Sequence, residues 1–259
     1  MSESSWKTSI TEIKPNEVRL RGYRIDELMG QVSFGQAVYL ALKGELPASE
    51  VGNLLDAILV CSIDHGASPP STLAARTAAS TGAPVNAAVS AGLLSINRYH
   101  GAAIEDCMAI LEAGIARSKE TDEGLDEVAG KLVQEYRAAE KRIAGLGHRI
   151  HTEDPRTRKL FALADEAGLA SRGVEMIQAL KDALAASGKE LPINVDGAIA
   201  ALLLDMEMPR KLANSFFMMA RVPGLVAQAY EEQSRERPMR RIHPSDHTYD
   251  GPDARSLTE

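Results

Sequence analysis

The chain has 259 residues and a formal net charge of −7 at pH 7, so it is long enough for one large or two modest domains and too acidic to bind nucleic acid over its whole surface. Hydrophobic residues make up 44% and charged residues 25%, as in soluble globular proteins. Aromatic residues make up only 4%, which favours helices over sheets. The sequence shows neither a signal peptide nor an apolar run of membrane-spanning length, so we expect a cytoplasmic protein without membrane contact.

The N-terminal region contains the one convincing β pattern, between residues 8 and 22. Ile10 and Ile13 precede the turn residues 14–16, and Val18 and Leu20 then alternate with charged residues. This pattern predicts a short hairpin. The two cysteines, Cys61 and Cys107, lie further along in apolar stretches without CxxC spacing, so we expect buried thiols rather than a disulfide or a zinc site.

From Ser33 onward the pattern is helical. Ser33 is placed to cap a helix that Gly44 ends, and apolar residues at helical spacing follow from Val51 to Leu59. Small residues fill 71–81, and residues 117–142 are crowded with charges. Further helices are predicted after Pro84 and Ala102, after Asp154 and Ser171, each of which is placed to cap its helix, and after Asp196. One or two more are predicted between Phe216 and Glu232.

Four polar residues recur at glycine-marked helix junctions, namely His65, His100, His148 and Asp196. Junctions can point side chains into a shared cleft, although each histidine taken singly is more often a helix cap. Zinc binding is disfavoured because no HExxH or paired ligand spacing occurs, and a serine hydrolase because no GxSxG occurs.

Asp196 lies among apolar residues, and burial there would raise its pKa and suit it to acid–base work. The alternative is a simple helix cap. Arg156, Arg221 and Arg237 each lie within two residues of a proline, where surface charge is the ordinary explanation. Arg221 differs because its surroundings are apolar, and a buried arginine needs an acidic partner or an anionic ligand.

Taken in order, these motifs resemble the citrate synthase superfamily, and most closely its citryl-CoA lyases, including the lyase module of ATP-citrate lyase. The resemblance covers nearly the whole chain and is carried by DHGASPPSTLAARTAASTGAP (64–84), RYHGAAIED (98–106), GLGHRIHTEDPR (145–156), INVDGAIA (193–200) and FMMARVPGLVAQ (217–228). DHG replaces the DHE of citrate synthases, and the chain is shorter than theirs; both features favour a lyase. The histidine of RYHGAA is typical of synthases and keeps a condensing activity as the alternative.

The resemblance implies an all-α, citrate synthase-like fold with a short N-terminal β-hairpin. Residues 1–103 and 209–259 would form a large domain and residues 104–208 a small one, with the active site between them. His148 would accept the proton of the citryl hydroxyl, Asp196 would protonate the acetyl carbon, and His100 would stabilise the enolate oxygen.

Substrate carboxylates would be held by His65, Arg156, Arg221 and, from a neighbouring subunit, Arg237, with Arg241 as the alternative. Coenzyme A phosphates would contact Arg149 and Arg158, while His151 has no assigned role. The resemblance implies no permanently bound cofactor and no metal, since coenzyme A enters as a thioester substrate. It also implies a homodimer or homotetramer, and it leaves open a separate citryl-CoA synthetase. A third hypothesis is a non-catalytic assembly subunit.

Overall fold

A computed structural model describes residues 6–97, 99–101, 103–148, 152–240, 248, 250–251, 253 and 256. The predictions made for Arg149, His151 and Arg241 lie outside these residues.

The predicted hairpin is present and carries one further strand. Strands β1 (Thr11–Lys14) and β2 (Glu17–Leu20) pair antiparallel, with Lys14 opposite Glu17. Asn16 takes the left-handed conformation in the turn between them, with a φ of 62°. Asparagine tolerates this conformation better than most residues, which explains the short connection. Strand β3 (Tyr23–Arg24) pairs with β2, so the sheet has the order β1-β2-β3.

Within the described ranges, helices form the rest of the regular structure, as the sequence predicts. They are α1 (Ile25–Leu28), α2 (Phe34–Lys43), α3 (Ser49–Cys61), α4 (Pro70–Ser80), α5 (Val85–Leu94), α6 (Ala103–Thr121), α7 (Leu125–Ala138), α8 (Pro155–Glu166), α9 (Arg172–Ala186), α10 (Val195–Asp205) and α11 (Ala213–Arg235), with a 3-10 turn at Arg210–Leu212. The fold is therefore mostly α-helical with a short N-terminal sheet.

The ends of α2 follow the local sequence closely. The Ser33 hydroxyl accepts from Gln36 N at 3.2 Å, and the Gln36 side chain accepts from Ser33 N at 3.0 Å. This reciprocal arrangement satisfies two backbone N–H groups at the start of the helix. Gly44 ends the helix with a φ of 91°, a conformation that glycine adopts without strain.

Helix α10 is the centre of the main hydrophobic core. Its buried side chains include Ile199 and Leu202, and it packs against α6, α8 and α9. Met108 and Leu111 face it from α6, and Ile177 lies in the same core on α9. The core holds α10 on several sides, which restricts movement of the helix.

Helix α9 is capped by a residue that the sequence does not suggest. The Ser171 side chain makes no capping hydrogen bond, contrary to prediction. Instead, the Asp205 carboxylate at the end of α10 accepts from the backbone N–H of Ser171, Gly173 and Val174, at 2.6–3.1 Å. A carboxylate suits a helix N-terminus, where backbone N–H groups lack partners and the dipole is positive.

We expect Asp205→Ala to lower the free energy of unfolding by about 1–3 kcal/mol, because three N–H groups lose their acceptor. Chemical denaturation followed by circular dichroism measures this change. Asp165→Ala removes an exposed carboxylate from α8 and is the matched control, expected to change stability by less than about 0.5 kcal/mol. Equal effects of the two substitutions would contradict the capping role.

The division into domains at 103/104 and 208/209 stays a prediction. The chain segments that follow the two predicted boundaries are in contact. Asn214 accepts from Glu105 N at 3.1 Å and donates to the Glu105 carboxylate at 3.0 Å. An ion pair of 2.8 Å between Arg210 and Glu112 lies beside them.

Candidate active site

His100 lies against the N-terminus of α4. Its Nε2 atom is 2.8 Å from Ser71 Oγ and accepts from Ser71 N at 3.4 Å. Its ring meets the edge of Phe217 at 84°, with the ring centres 5.8 Å apart. Burial, followed by the charges of Arg221 and His65, holds the pKa of His100 below its usual value. The imidazole is therefore neutral near pH 7, and an N–H can point away from α4.

Arg221 is buried on α11. The residue is 3% exposed, its Nε donates to Ser62 O at 3.0 Å, and the guanidinium lies 4.7 Å above the centre of the Phe217 ring. Its Nη1 atom is buried and has no hydrogen-bond partner among the described residues. Burial lowers the pKa of Arg221, while the charge of Asp64 opposes this shift. A buried cationic donor without a partner favours an anionic ligand.

Asp64 is the acidic neighbour of Arg221. One carboxylate oxygen accepts from Gly66 N at 2.9 Å and from Gln228 Nε2 at 3.2 Å. The other oxygen is buried without a partner in the described part of the chain. His65 follows on the same turn with an exposed side chain, and its charge still acts on His100.

Arg156 is held by a buried carboxylate at the start of α8. Asp154 is 1% exposed, and it accepts from Arg156 N and Nε at 3.0 Å and from Nη2 at 2.8 Å. Burial alone would raise the pKa of Asp154, but the hydrogen bonds and charge of Arg156, followed by the charge of His148, bring it below the usual value. Asp154 is the predicted cap of α8 and also fixes the guanidinium of Arg156.

Asp196 lies in the first turn of α10, where burial raises its pKa. The charges of Arg156 and Arg221 oppose this shift, so both arginines lie within electrostatic range of the carboxyl group. Asn194 caps α10 by accepting from Gly197 N at 3.0 Å. The alternative that Asp196 is itself the cap is therefore wrong. A carboxyl group with a raised pKa, free of a capping role, is suited to proton transfer.

His148 ends the turn that packs on the start of α10. Gly147 N donates to Pro192 O at 2.7 Å, and Gly147 O accepts from the Asn194 side chain at 2.8 Å. The charge of His148 helps to lower the pKa of Asp154, so His148 lies within electrostatic range of the carboxylate that holds Arg156. The structure thus links His65, His100, Arg221, Asp196, Arg156 and His148 through one set of neighbouring charges.

Two of the predicted arginines lie apart from this set. Arg158 is exposed on α8 and pairs loosely with Glu153 at 3.5 Å. Arg237 is exposed beside a cavity of about 350 Å³ between the C-terminal ends of α4 and α11. Among the described residues, no recorded contact joins either arginine to His100 or Asp196. Their roles in coenzyme A binding and in a neighbouring subunit's site stay predictions.

Sequence reasoning missed four residues that shape the site: Ser71, Asp64, Asn194 and Phe217. Each lies inside a motif quoted above, but each also has a contact at least 29 positions away in the chain, as Ser71 has with His100. Only Asn194 carried a local signal, since asparagine two residues before a helical Asp-Gly pair is a common N-cap. The predicted thiols also lie nearby: burial raises the pKa of both Cys61 and Cys107, and the charge of Asp196 adds to this.

In the described ranges, no three His, Cys, Asp or Glu side chains are grouped so as to hold a metal ion. No helix in the same ranges has the length and apolar character that crossing a membrane requires.

Residues 48–244 match the family described as citrate synthase, C-terminal domain. The citrate/2-methylcitrate synthase of Bacillus subtilis is 30% identical over 214 residues, which are 80% of this chain and 54% of that protein. The citrate synthase of Haloferax volcanii is 28% identical over 204 residues, which are 77% and 51% of the two chains. The chain thus spans about half the length of these relatives.

Solved structures give the same assignment of fold. The citryl-CoA lyase of Hydrogenobacter thermophilus superposes with a TM-score of 0.90 at 38% identity, covering 98% of both chains. The ATP citrate lyase of Methanosaeta concilii, solved with (3S)-citryl-CoA, has a TM-score of 0.82 at 20% identity and is matched over 42% of its length, a likeness in fold alone. With more than half of its residues matching the family and the same fold in both structures, this chain belongs to the citrate synthase family.

Proposed function

We propose that this protein is a citryl-CoA lyase, which cleaves citryl-CoA to acetyl-CoA and oxaloacetate. The observation that carries the proposal is the likeness to the citryl-CoA lyase of Hydrogenobacter thermophilus, which extends over 98% of both chains at 38% identity. Residues of the candidate site support the proposal, because a group can be assigned to each step of that reaction.

The carboxylates of the citryl group would bind to the arginines. Arg221 offers a buried Nη1 without a partner in the described part of the chain, so it is the strongest candidate for a direct contact. Arg156 has two of its nitrogens engaged by Asp154 and presents its remaining N–H groups. Guanidinium groups suit this task because they are planar and donate in pairs. His65, and Arg237 of a neighbouring copy, complete the proposed set.

His148 would start the cleavage by taking the proton of the citryl hydroxyl group. The electrons of that O–H bond form the ketone of oxaloacetate, and the carbon–carbon bond breaks toward the acetyl group. The buried Asp154 carboxylate lies within electrostatic range of His148 and would stabilise the cation that His148 becomes.

His100 would stabilise the enolate that the broken bond leaves on the thioester. A backbone N–H can only donate, so the contact from Ser71 N makes Nε2 the acceptor and places the proton of the neutral ring on Nδ1. The Nδ1–H group can then donate to the thioester oxygen as negative charge develops there. A neutral donor suits this role because it stabilises the oxygen and keeps its own proton.

Asp196 would finish the reaction by protonating the acetyl carbon. Its raised pKa favours the protonated form that this step consumes. Proton return from His148, through solvent or product, restores both groups. No permanently bound cofactor enters this scheme, since coenzyme A arrives and leaves with the substrate. Arg149 and Arg158 are the proposed contacts for its phosphates, and a homodimer is the smallest assembly that would bring Arg237 to a neighbouring site.

The second candidate is a condensing enzyme that joins acetyl-CoA, or another acyl-CoA, to oxaloacetate or another 2-oxoacid. The name of the Bacillus subtilis relative, 30% identical over 80% of this chain, favours it. The same three groups would act in reverse order, and hydrolysis of the thioester would follow.

The deciding experiment supplies the purified protein with citryl-CoA in one reaction and with oxaloacetate plus acetyl-CoA in another. Coupled malate dehydrogenase measures oxaloacetate in the first, and a thiol reagent measures free coenzyme A in the second. We expect oxaloacetate release in the first reaction to be much faster than coenzyme A release in the second. Rapid coenzyme A release in the second reaction, without oxaloacetate formation in the first, would contradict the lyase proposal and support the condensing enzyme.

A further inference from the structure

We propose that Asn194 is a positioning residue that fixes His148 and Asp196 relative to each other. The inference deepens the proposed function and rests on it, since it takes His148 and Asp196 as the two proton-transfer groups. Asn194 itself touches neither reacting carbon nor oxygen in this scheme and acts through the backbone of its neighbours.

The side chain of Asn194 makes two hydrogen bonds in opposite directions. Its Oδ1 accepts from Gly197 N at 3.0 Å, which caps the helix that carries Asp196. Its Nδ2 donates to Gly147 O at 2.8 Å, the carbonyl group immediately before His148. One planar amide therefore joins the turn of one proton-transfer residue to the helix of the other.

Backbone contacts around Asn194 also hold the turn at 145–147 against the start of α10. Asn194 N donates to Gly145 O at 3.0 Å, and Leu146 forms a β-bridge with Ile193. A Cβ atom on Gly197 would lie 2.4 Å from Gly145 O, so the turn and the helix meet backbone to backbone. Such a contact has no flexible side chain to absorb a shift, and a displaced turn moves His148 directly.

The same short segment also holds the helix of Arg156. Thr157 Oγ1 donates to Ile193 O at 3.1 Å, and Thr157 is buried. The supports of His148, Asp196 and Arg156 thus converge on residues 192–194. Within this segment the Asn194 amide provides the side-chain link, which a single substitution can remove without breaking the backbone contacts.

Two substitutions separate the two bonds of Asn194. Asn194→Asp and Asn194→Ser both keep an oxygen that can cap α10. The ionised aspartate has no N–H for Gly147 O, and the serine side chain is shorter and has one hydroxyl in place of the two opposed amide groups, so neither variant spans both bonds. The serine variant adds no charge, so agreement between the two variants excludes a charge effect. Asn86→Asp makes the same chemical change at an exposed position on α5 and is the matched control.

We expect kcat for citryl-CoA cleavage to fall by about 10- to 100-fold in both Asn194 variants with KM changed by less than about threefold, because misplacing a catalytic group affects the chemical step. Amide hydrogen exchange should speed up at residues 146–148 in both variants and stay unchanged along α10. Asn86→Asp should match the wild-type protein in both measurements. A kcat within twofold of wild type in both variants, or unchanged exchange at residues 146–148, would overturn the inference.

The two proposals fail in different ways. If the wild-type protein neither cleaves citryl-CoA nor condenses acetyl-CoA with oxaloacetate, the proposed function is wrong, whereas hydrogen exchange still reports whether Asn194 holds the turn. If the wild-type protein cleaves citryl-CoA and both Asn194 variants cleave it equally well, the proposed function stands and the positioning role is wrong.

Discussion

Asp196→Asn is expected to lower kcat for citryl-CoA cleavage by about 10²- to 10⁴-fold, the range that loss of a general acid produces. The carboxamide has nearly the shape of the carboxyl group but has no acidic proton to give to the acetyl carbon. Steady-state rates with coupled malate dehydrogenase measure the change. Asp182→Asn makes the same substitution on the exposed face of α9 and should leave kcat unchanged.

The stability of the same variant separates a catalytic role from a structural one. Burial raises the pKa of Asp196, so ionising this carboxyl group costs free energy in the folded state but not in the unfolded chain. The cost is absent at low pH, grows as pH rises through the usual Asp range near about 4, and is complete above the raised pKa. Asparagine cannot ionise, and Asn194 still caps α10.

We therefore expect the Tm of Asp196→Asn to equal or exceed that of the wild-type protein at pH 7, with the difference shrinking toward pH 4. Differential scanning fluorimetry across this pH range measures it. Near-normal kcat in the variant, or a large drop in its Tm at neutral pH, would remove Asp196 from the mechanism and make it a structural residue.

Local sequence signals predicted most of the fold because helix ends are determined by neighbouring residues. Ser33, Gly44, and Asp154 ahead of Pro155 all act within one helical turn, and each behaves as predicted. The helix over Pro223 shows the limit of such signals. Proline permits one or two helices there, and packing of α11 on α3, α4 and α5 maintains a single one.

The site could be predicted where the sequence neighbours of a residue determine its environment. Burial of Arg221 followed from its apolar neighbours, and the raised pKa of Asp196 followed from its own. Contacts between distant segments could not be predicted in this way. The carboxylate that caps α9 lies 34 residues after Ser171, and the neighbours of Arg221 at Ser62 and Asp64 precede it by more than 150 residues.

Arg221→Met is expected to weaken oxaloacetate binding by about 2–5 kcal/mol, a rise in Kd of about 30- to 4,000-fold. Methionine keeps much of the apolar stem and its packing on Phe217, but it removes the buried donor that has no partner among the described residues. Arg221→Lys keeps a charge without the planar pair of donors, so we expect it to bind oxaloacetate with an intermediate Kd. Isothermal titration calorimetry with oxaloacetate measures all three proteins.

Arg76→Met is the matched control, because Arg76 is also a buried arginine but its charge is used inside the protein. Arg76 bonds Glu232 at 2.7 Å and Gln228 at 2.7 Å, whereas the Nη1 of Arg221 bonds no described residue. Its removal should lower Tm, with Arg240 still pairing Glu232, and change oxaloacetate affinity far less than Arg221→Met does, since its link to the site runs through Gln228 to Asp64. Comparing the two variants therefore separates the effect of removing a buried arginine from the effect of removing a ligand contact. If the Kd of Arg221→Met for oxaloacetate lay within threefold of the wild-type value, the guanidinium of Arg221 would not be the carboxylate site.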